Sequence, residues 1–132
     1  LIPYTNDTEQ VEKLLIRIQQ IKNSGFKDSD ITLLTFCSIK KSIIKSLVNR
    51  GTVMEKASVF DSPYLRYSTI NSYKGMENKI IIITDVVLSP QNIELERKIF
   101  YTGMTRATEN LFILCRDGSM KILHKWVLDQ GK

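Results

Sequence analysis

A chain of 132 residues, 42% hydrophobic and 25% charged, has the length of one domain and the balance of a folded, globular one. Its uninterrupted apolar runs, such as Ile80 to Ile83, are far short of the about 20 residues that span a bilayer, and no signal-peptide pattern opens it, so a membrane partner is not expected. The net charge of +5 favours an anionic partner such as nucleic acid, although charge of this size also serves solubility alone.

Cys37 and Cys115 lie far apart, each in or beside an apolar run, and no C-x-x-C spacing occurs. That pattern suits free buried thiols and a cytoplasmic setting rather than a zinc site. The single histidine, His124, has no ligand cluster around it and reads as a solvent-facing residue on a terminal helix. Because the chain opens on Leu1 rather than Met, it is expected to come from a longer parent.

Taken in chain order, residues 1–4 suit a short strand. Asp7 or Thr8 then starts a helix whose apolar face is Val11, Leu14, Leu15, Ile18 and Ile21, ended by Gly25. Residues 31–36 read as a buried strand. Ser38 is expected to cap the next helix, with Ile43, Ile44, Leu47 and Val48 inward and Gly51 as its stop. A short strand is expected within 53–59, and Asp61-Ser-Pro63 signals a turn.

Residues 65–70 read as a strand, and 79–87 as a stronger one. The run Ile80-Ile-Ile-Ile83 is apolar on both faces, as a strand covered by helices on both sides requires. After a polar turn at Ser89-Pro90, residues 94–107 are predicted helical, with Leu95, Ile99 and Phe100 inward. Residues 111–115 form the last predicted strand and 120–128 a closing helix. Strands alternating with helices predict an α/β fold: one three-layer domain over residues 1–132, with a mainly parallel sheet and helices on both faces.

Two segments carry groups suited to chemistry. Ser68-Thr-Ile-Asn-Ser-Tyr-Lys-Gly-Met-Glu77 joins two predicted strands. Thr69, Asn71 and Ser72 offer hydroxyl and amide donors for phosphate oxygens at a strand end, where ligands of parallel sheets bind. Gly75 allows a tight turn and close backbone approach. Glu77 is suited to a sugar hydroxyl or to holding an arginine. The second segment, Arg97 to Ala107, contains Gly103, which weakens a helix by about 1 kcal/mol and so suggests close packing against another backbone. Arg106 is expected near the end of that helix, at the domain edge. Taken singly, a Lys-Gly pair is a common turn and Thr-Arg-Ala a common helix end.

Their joint pattern and order is similar to a known one. Ser68 to Glu77 followed by Ile80-Ile-Ile-Ile83 resembles motif V of UvrD/Rep-type superfamily 1 DNA helicases, Thr-Ile-His-x-x-Lys-Gly-Leu-Glu before an apolar strand. Phe100-Tyr-Thr-Gly-Met-Thr-Arg-Ala-Thr-Glu-Asn-Leu111 resembles motif VI, and Asp30 to Thr35 resembles an earlier strand of the same domain. The resemblance covers nearly the whole chain and implies the second, C-terminal RecA-like domain of such a helicase.

It also implies roles. Arg106 falls on the arginine finger that touches the ATP γ-phosphate, Glu77 on the contact to the nucleotide sugar, and Gly75 beside it. Thr69, Asn71, Ser72 and Lys74 fall on or beside the contacts to single-stranded DNA. Tyr101 and Thr105 fall on positions that shape the helix and support the arginine. Asn71 stands where the family has histidine, Met76 where it has leucine, and Thr108 where lysine is frequent. No G-x-x-x-x-G-K-[ST] phosphate loop and no identifiable motif IV arginine occur, so ATP and Mg²⁺ are expected to be held by an N-terminal RecA-like domain of the same parent, with no ATPase in this segment alone. Two alternatives stand beside this: a catalytically inactive RecA-like module that binds nucleic acid or protein, and an unrelated doubly wound domain. The second lacks the glycine-rich first turn or aspartate cluster it requires.

Overall fold

The computed structural model describes residues 1–59 and 61–129. Strands β1 (Ile2–Tyr4), β2 (Ile31–Thr35), β3 (Met54–Lys56), β4 (Leu65–Thr69), β5 (Asn78–Val86) and β6 (Ala107–Arg116) alternate with helices α1 (Asp7–Asn23), α2 (Ile43–Asn49), α3 (Ile93–Met104) and α4 (Met120–Asp129). The strands form one sheet in the order β1-β6-β5-β2-β4-β3, and every neighbouring pair is parallel.

The period of two along the central strands builds three layers. On β5, Ile80 and Ile82 turn to the face covered by α1 and α2, with Leu14, Ile18, Ile44 and Leu47. Ile81 and Ile83 turn to the other face, under Phe100 of α3 and Leu123 and Trp126 of α4. All four isoleucines are fully buried, each contributing about 1.5–3 kcal/mol of apolar burial. This is the three-layer α/β architecture of RecA-like domains.

Local chemistry sets the helix ends, with some shifts from the pattern read in the sequence. The cap of α1 is Asn6, whose side chain accepts from the Glu9 N–H; Gly25 follows the helix at φ +106°. The cap of α2 is Ser42, not Ser38, which instead precedes a short 3-10 turn at Ile39–Lys41. Helix α3 stops at Met104, and Ala107, expected to be helical, already opens β6. Leu95, expected inward, is 61% exposed, and Leu15, Val48 and Ile122 also face solvent. Gly103 packs against side chains rather than backbone: a Cβ there would meet Ile70 Cδ1 at 2.9 Å and Ile83 Cδ1 at 3.1 Å.

Cys115 is buried, Cys37 half-buried and His124 exposed. Burial pushes the Cys115 thiol up to about 12, far from the range in which a thiol reacts readily. Among the described residues, no helix is long and apolar enough to cross a membrane.

Candidate functional site

The two chemistry-bearing segments meet the sheet at both of its ends. Thr69 closes β4, in register with Thr35 at the carboxyl end of β2. The chain then crosses one face of the sheet through a 3-10 turn at Asn71–Tyr73 and re-enters at Asn78, the amino end of β5. Six residues of β5 separate the rung of Asn78 from that of Thr84, which pairs with Thr35. At the strand rise this is about 20 Å. Thr69 and Glu77 therefore lie near opposite edges of the sheet, not together at one strand end as the polar run from Thr69 to Glu77 suggests.

Arg106 stands at the amino edge with Glu77. Its carbonyl accepts from the Asn78 N–H at 3.1 Å, which locks it beside the start of β5. The guanidinium is half-buried and holds only neutral acceptors: Thr105 Oγ1 accepts from Nη2 at 2.9 Å and Nε at 3.3 Å, and the Met76 carbonyl accepts from Nη1 at 3.4 Å. Thr105 Oγ1 in turn donates to the Thr102 carbonyl at 2.9 Å, so the helix end sets the arginine's direction. Tyr101 does not touch Arg106; its hydroxyl accepts from Arg97 Nε and donates to the Trp126 carbonyl, tying α3 to α4.

Glu77 is exposed, and among the described residues neither it nor Arg106 has an ion-pair partner. A shallow cavity of about 240 Å³ opens beside them, lined by Ser29, Arg66, Tyr73, Met76, Glu77 and Asn78. Its wall is stiff. Asn78 Nδ2 donates to the Ser29 carbonyl and to Thr32 Oγ1, both at 3.0 Å, and the buried Tyr73 hydroxyl meets Thr32 Oγ1 at 3.4 Å. Burial raises the Tyr73 hydroxyl above its ordinary range, so it stays a neutral donor. Gly75 adopts φ +81° with open space where a side chain would project, so the Lys74-Gly75 turn leaves the backbone approachable.

The carboxyl edge carries the donors. The Thr69 hydroxyl accepts from the Ser72 N–H at 3.2 Å, capping the 3-10 turn and leaving its own proton free to donate outward. Asn71 and Ser72 are exposed there, and Lys74 is exposed further along the crossover; among the described residues the side chains of Asn71 and Lys74 make no hydrogen bond or ion pair. A cavity of about 230 Å³ lies between the residues that follow β2 and those that follow β4.

This edge also holds a buried acid that no sequence motif marks. Asp85 sits in an irregularity between Ile83 and Val86 of β5, at φ +62° and only 8% exposed. That backbone costs a residue other than glycine about 1–2 kcal/mol. Five donors converge on its carboxyl group: Ser42 Oγ (2.5 Å), Thr84 Oγ1 (2.7 Å), Thr35 Oγ1 (3.2 Å), Gln10 Nε2 (3.3 Å) and the Ile43 N–H (3.3 Å). Its own N–H donates to Gln10 Oε1 at 2.7 Å. An acidic residue at the end of an apolar strand was the available signal. Apart from its neighbour Thr84, its partners come from three other places in the chain, and only folding assembles them.

Among the described residues no three His, Cys, Asp or Glu side chains cluster as metal ligands.

Residues 64–114, which include both segments, match the family model of the UvrD-like helicase C-terminal domain. The fold is similar to the crystal structure of the C-terminal domain of a possible DNA helicase from Lactobacillus plantarum WCFS1, with a TM-score of 0.69 and 18% identity. That likeness covers 87% of this chain and 71% of the other. No curated protein matches the sequence significantly.

Proposed function

We propose that this chain, which carries the UvrD-like helicase C-terminal domain at residues 64–114, works as the second RecA-like domain of an ATP-dependent DNA helicase. The amino edge of its sheet completes a nucleotide site, and the carboxyl edge holds single-stranded DNA. One observation carries the reading: an arginine with no ion-pair partner among the described residues shares one edge with an exposed carboxylate, while hydroxyl and amide donors stand at the other.

In this reading, a neighbouring RecA-like domain of the same parent chain binds ATP with Mg²⁺ and presents it to the amino edge. The Arg106 guanidinium exchanges the neutral oxygens of Thr105 and Met76 for anionic phosphate oxygens, which its planar fork can meet with two parallel N–H···O bonds. Its positive charge offsets charge that develops on the transferring phosphoryl group. Glu77 accepts from a sugar hydroxyl, and Gly75 lets the backbone approach. At the other edge Thr69, Asn71 and Ser72 donate to DNA backbone oxygens, with Lys74 reaching the same backbone from further along the crossover. Strands β2 and β5 join the two edges as stiff, buried rods, so closure of the domains around the nucleotide moves the DNA-holding edge as one body. The setting is the cytoplasm, where Cys37 and Cys115 stay reduced.

The test uses a fluorescein-labelled oligo-dT and the full-length protein. Affinity is expected to fall with salt, and Lys74→Ala to lower the slope of log affinity against log salt by about 1. Affinity independent of salt, with a slope unchanged by Lys74→Ala, contradicts DNA contact at this edge. The 132-residue chain alone is expected to release no phosphate from ATP above background, since it contains no phosphate loop. Turnover by the isolated chain that disappears with Arg106→Ala contradicts the shared site.

A further inference from the structure

The cavity at the carboxyl edge has two walls. One is the turn after β2, with Phe36, Cys37 and Ser38; the other is Thr69, Ile70 and Asn71 after β4. Thr35 is the hinge between them. Its carbonyl accepts from the Ile70 N–H at 3.3 Å, which sets where the second wall begins. Its hydroxyl accepts from the Cys37 N–H at 3.2 Å, which shapes the first. The proton of that hydroxyl is donated to Asp85. The same carboxyl group holds the Ser42 hydroxyl and the Ile43 N–H at the start of α2, the element into which the first wall leads.

Nothing in the nucleotide edge explains Asp85. It lies near the far end of β5, seven residues beyond Asn78, whose N–H meets the Arg106 carbonyl, and therefore roughly 20 Å from Arg106 along the strand. Among the described residues no Lys or Arg pairs with it, and its backbone is left-handed where a strand would ordinarily continue. A strained, buried acid that collects donors from α1, β2, the start of α2 and β5 is a device for fixing those parts relative to one another.

We infer that Asp85 is a positioning residue for single-strand binding: through Thr35 and Ser42 it holds the two walls of the carboxyl-edge cavity at the separation a nucleic-acid backbone requires. This rests on the reading of that edge as the DNA-holding one. Asp85 touches no ligand itself; its effect passes through the Thr35 hydroxyl and the Ser42 cap.

Two substitutions isolate the effect. Asn tolerates positive φ better than other residues with a side chain, so Asp85→Asn changes the acceptor while keeping the backbone. Thr35→Val removes one hydroxyl at nearly constant shape, and Thr35→Ser restores it. In the full-length protein, Asp85→Asn and Thr35→Val are expected to weaken oligo-dT binding about tenfold, a loss of the size one charge-assisted hydrogen bond accounts for. Thr35→Ser is expected to bind like the wild type. The KM for ATP in the DNA-stimulated reaction is expected to stay unchanged in all three, which a general loosening of the fold would not leave so.

If Asp85→Asn fails to fold, the Thr35→Val and Thr35→Ser pair decides alone. Oligo-dT binding unchanged in Thr35→Val, while Thr69→Ala loses affinity, overturns the role of Asp85 and leaves the DNA edge standing. If Thr69→Ala also binds like the wild type, the DNA reading of this edge falls and the inference falls with it. An ATP KM that rises in step with the loss of DNA affinity overturns the positioning role in favour of a structural one.

Discussion

Arg106→Ala in the full-length parent is expected to lower DNA-stimulated ATP turnover by about 10³–10⁵-fold, the range over which arginine fingers act. Oligo-dT affinity and the melting temperature are expected to change little. The side chain is half-buried, holds only neutral oxygens and lies near the opposite sheet edge from Thr69, so neither the core nor the DNA contacts depend on its charge. Arg106→Lys is expected to recover only part of the rate. An ammonium is a point charge and cannot present the planar fork that meets two phosphate oxygens at once. Steady-state phosphate release checks both, and a variant that turns over at the wild-type rate removes the finger from the account.

Phe100→Ala is expected to have the largest effect on stability. The ring is fully buried, 5.7 Å from Trp126 and 6.2 Å from Tyr101, and forms the centre of the layer that α3 and α4 place on the sheet. Truncating such a ring removes its transfer free energy and leaves a cavity, together about 3–5 kcal/mol. For a domain of this size the melting temperature then falls by roughly 10 °C or more. Because α3 also aims Arg106, the variant tests how far the finger depends on the packing beneath it. Leu95→Ala, one turn earlier on the exposed face of the same helix, is expected to shift stability by no more than about 0.5 kcal/mol. Thermal unfolding followed by circular dichroism compares the two. Equal losses contradict the burial pattern of α3.

Much of the fold was legible because its strongest signals are local. The Ile80-Ile-Ile-Ile83 run could only be a strand covered on both faces, and the order of strands and helices followed from the period of two giving way to the helical period. What stayed hidden depends on partners distant in sequence. Ala107 to Asn110 look like a polar helix end, yet they pair with Asn78 to Ile80 and become the first half of β6. Leu95 fits the apolar spacing of α3 yet stays exposed, because spacing marks a helix face without fixing which residues on it find a neighbour.

The candidate site divides in the same way. Its residues stood out as two segments, and Arg106 and Glu77 do share an edge. That Thr69 lies at the other edge follows once β4 and β5 run parallel, because the connection must return from the carboxyl end of one strand to the amino end of the next. Asp85 was least legible. Its role exists only once Gln10, Thr35, Ser42 and Thr84 are gathered around it.

The claim on which the account turns is that the guanidinium of Arg106 serves the phosphoryl-transfer step rather than nucleotide capture. Single-turnover phosphate release from pre-bound ATP, with and without Arg106→Ala and with nucleotide affinity measured in parallel, separates the two. A chemical step slowed by at least about 10³-fold with affinity within a few-fold of wild type is the expected result. Release at the wild-type rate from a saturated site contradicts it.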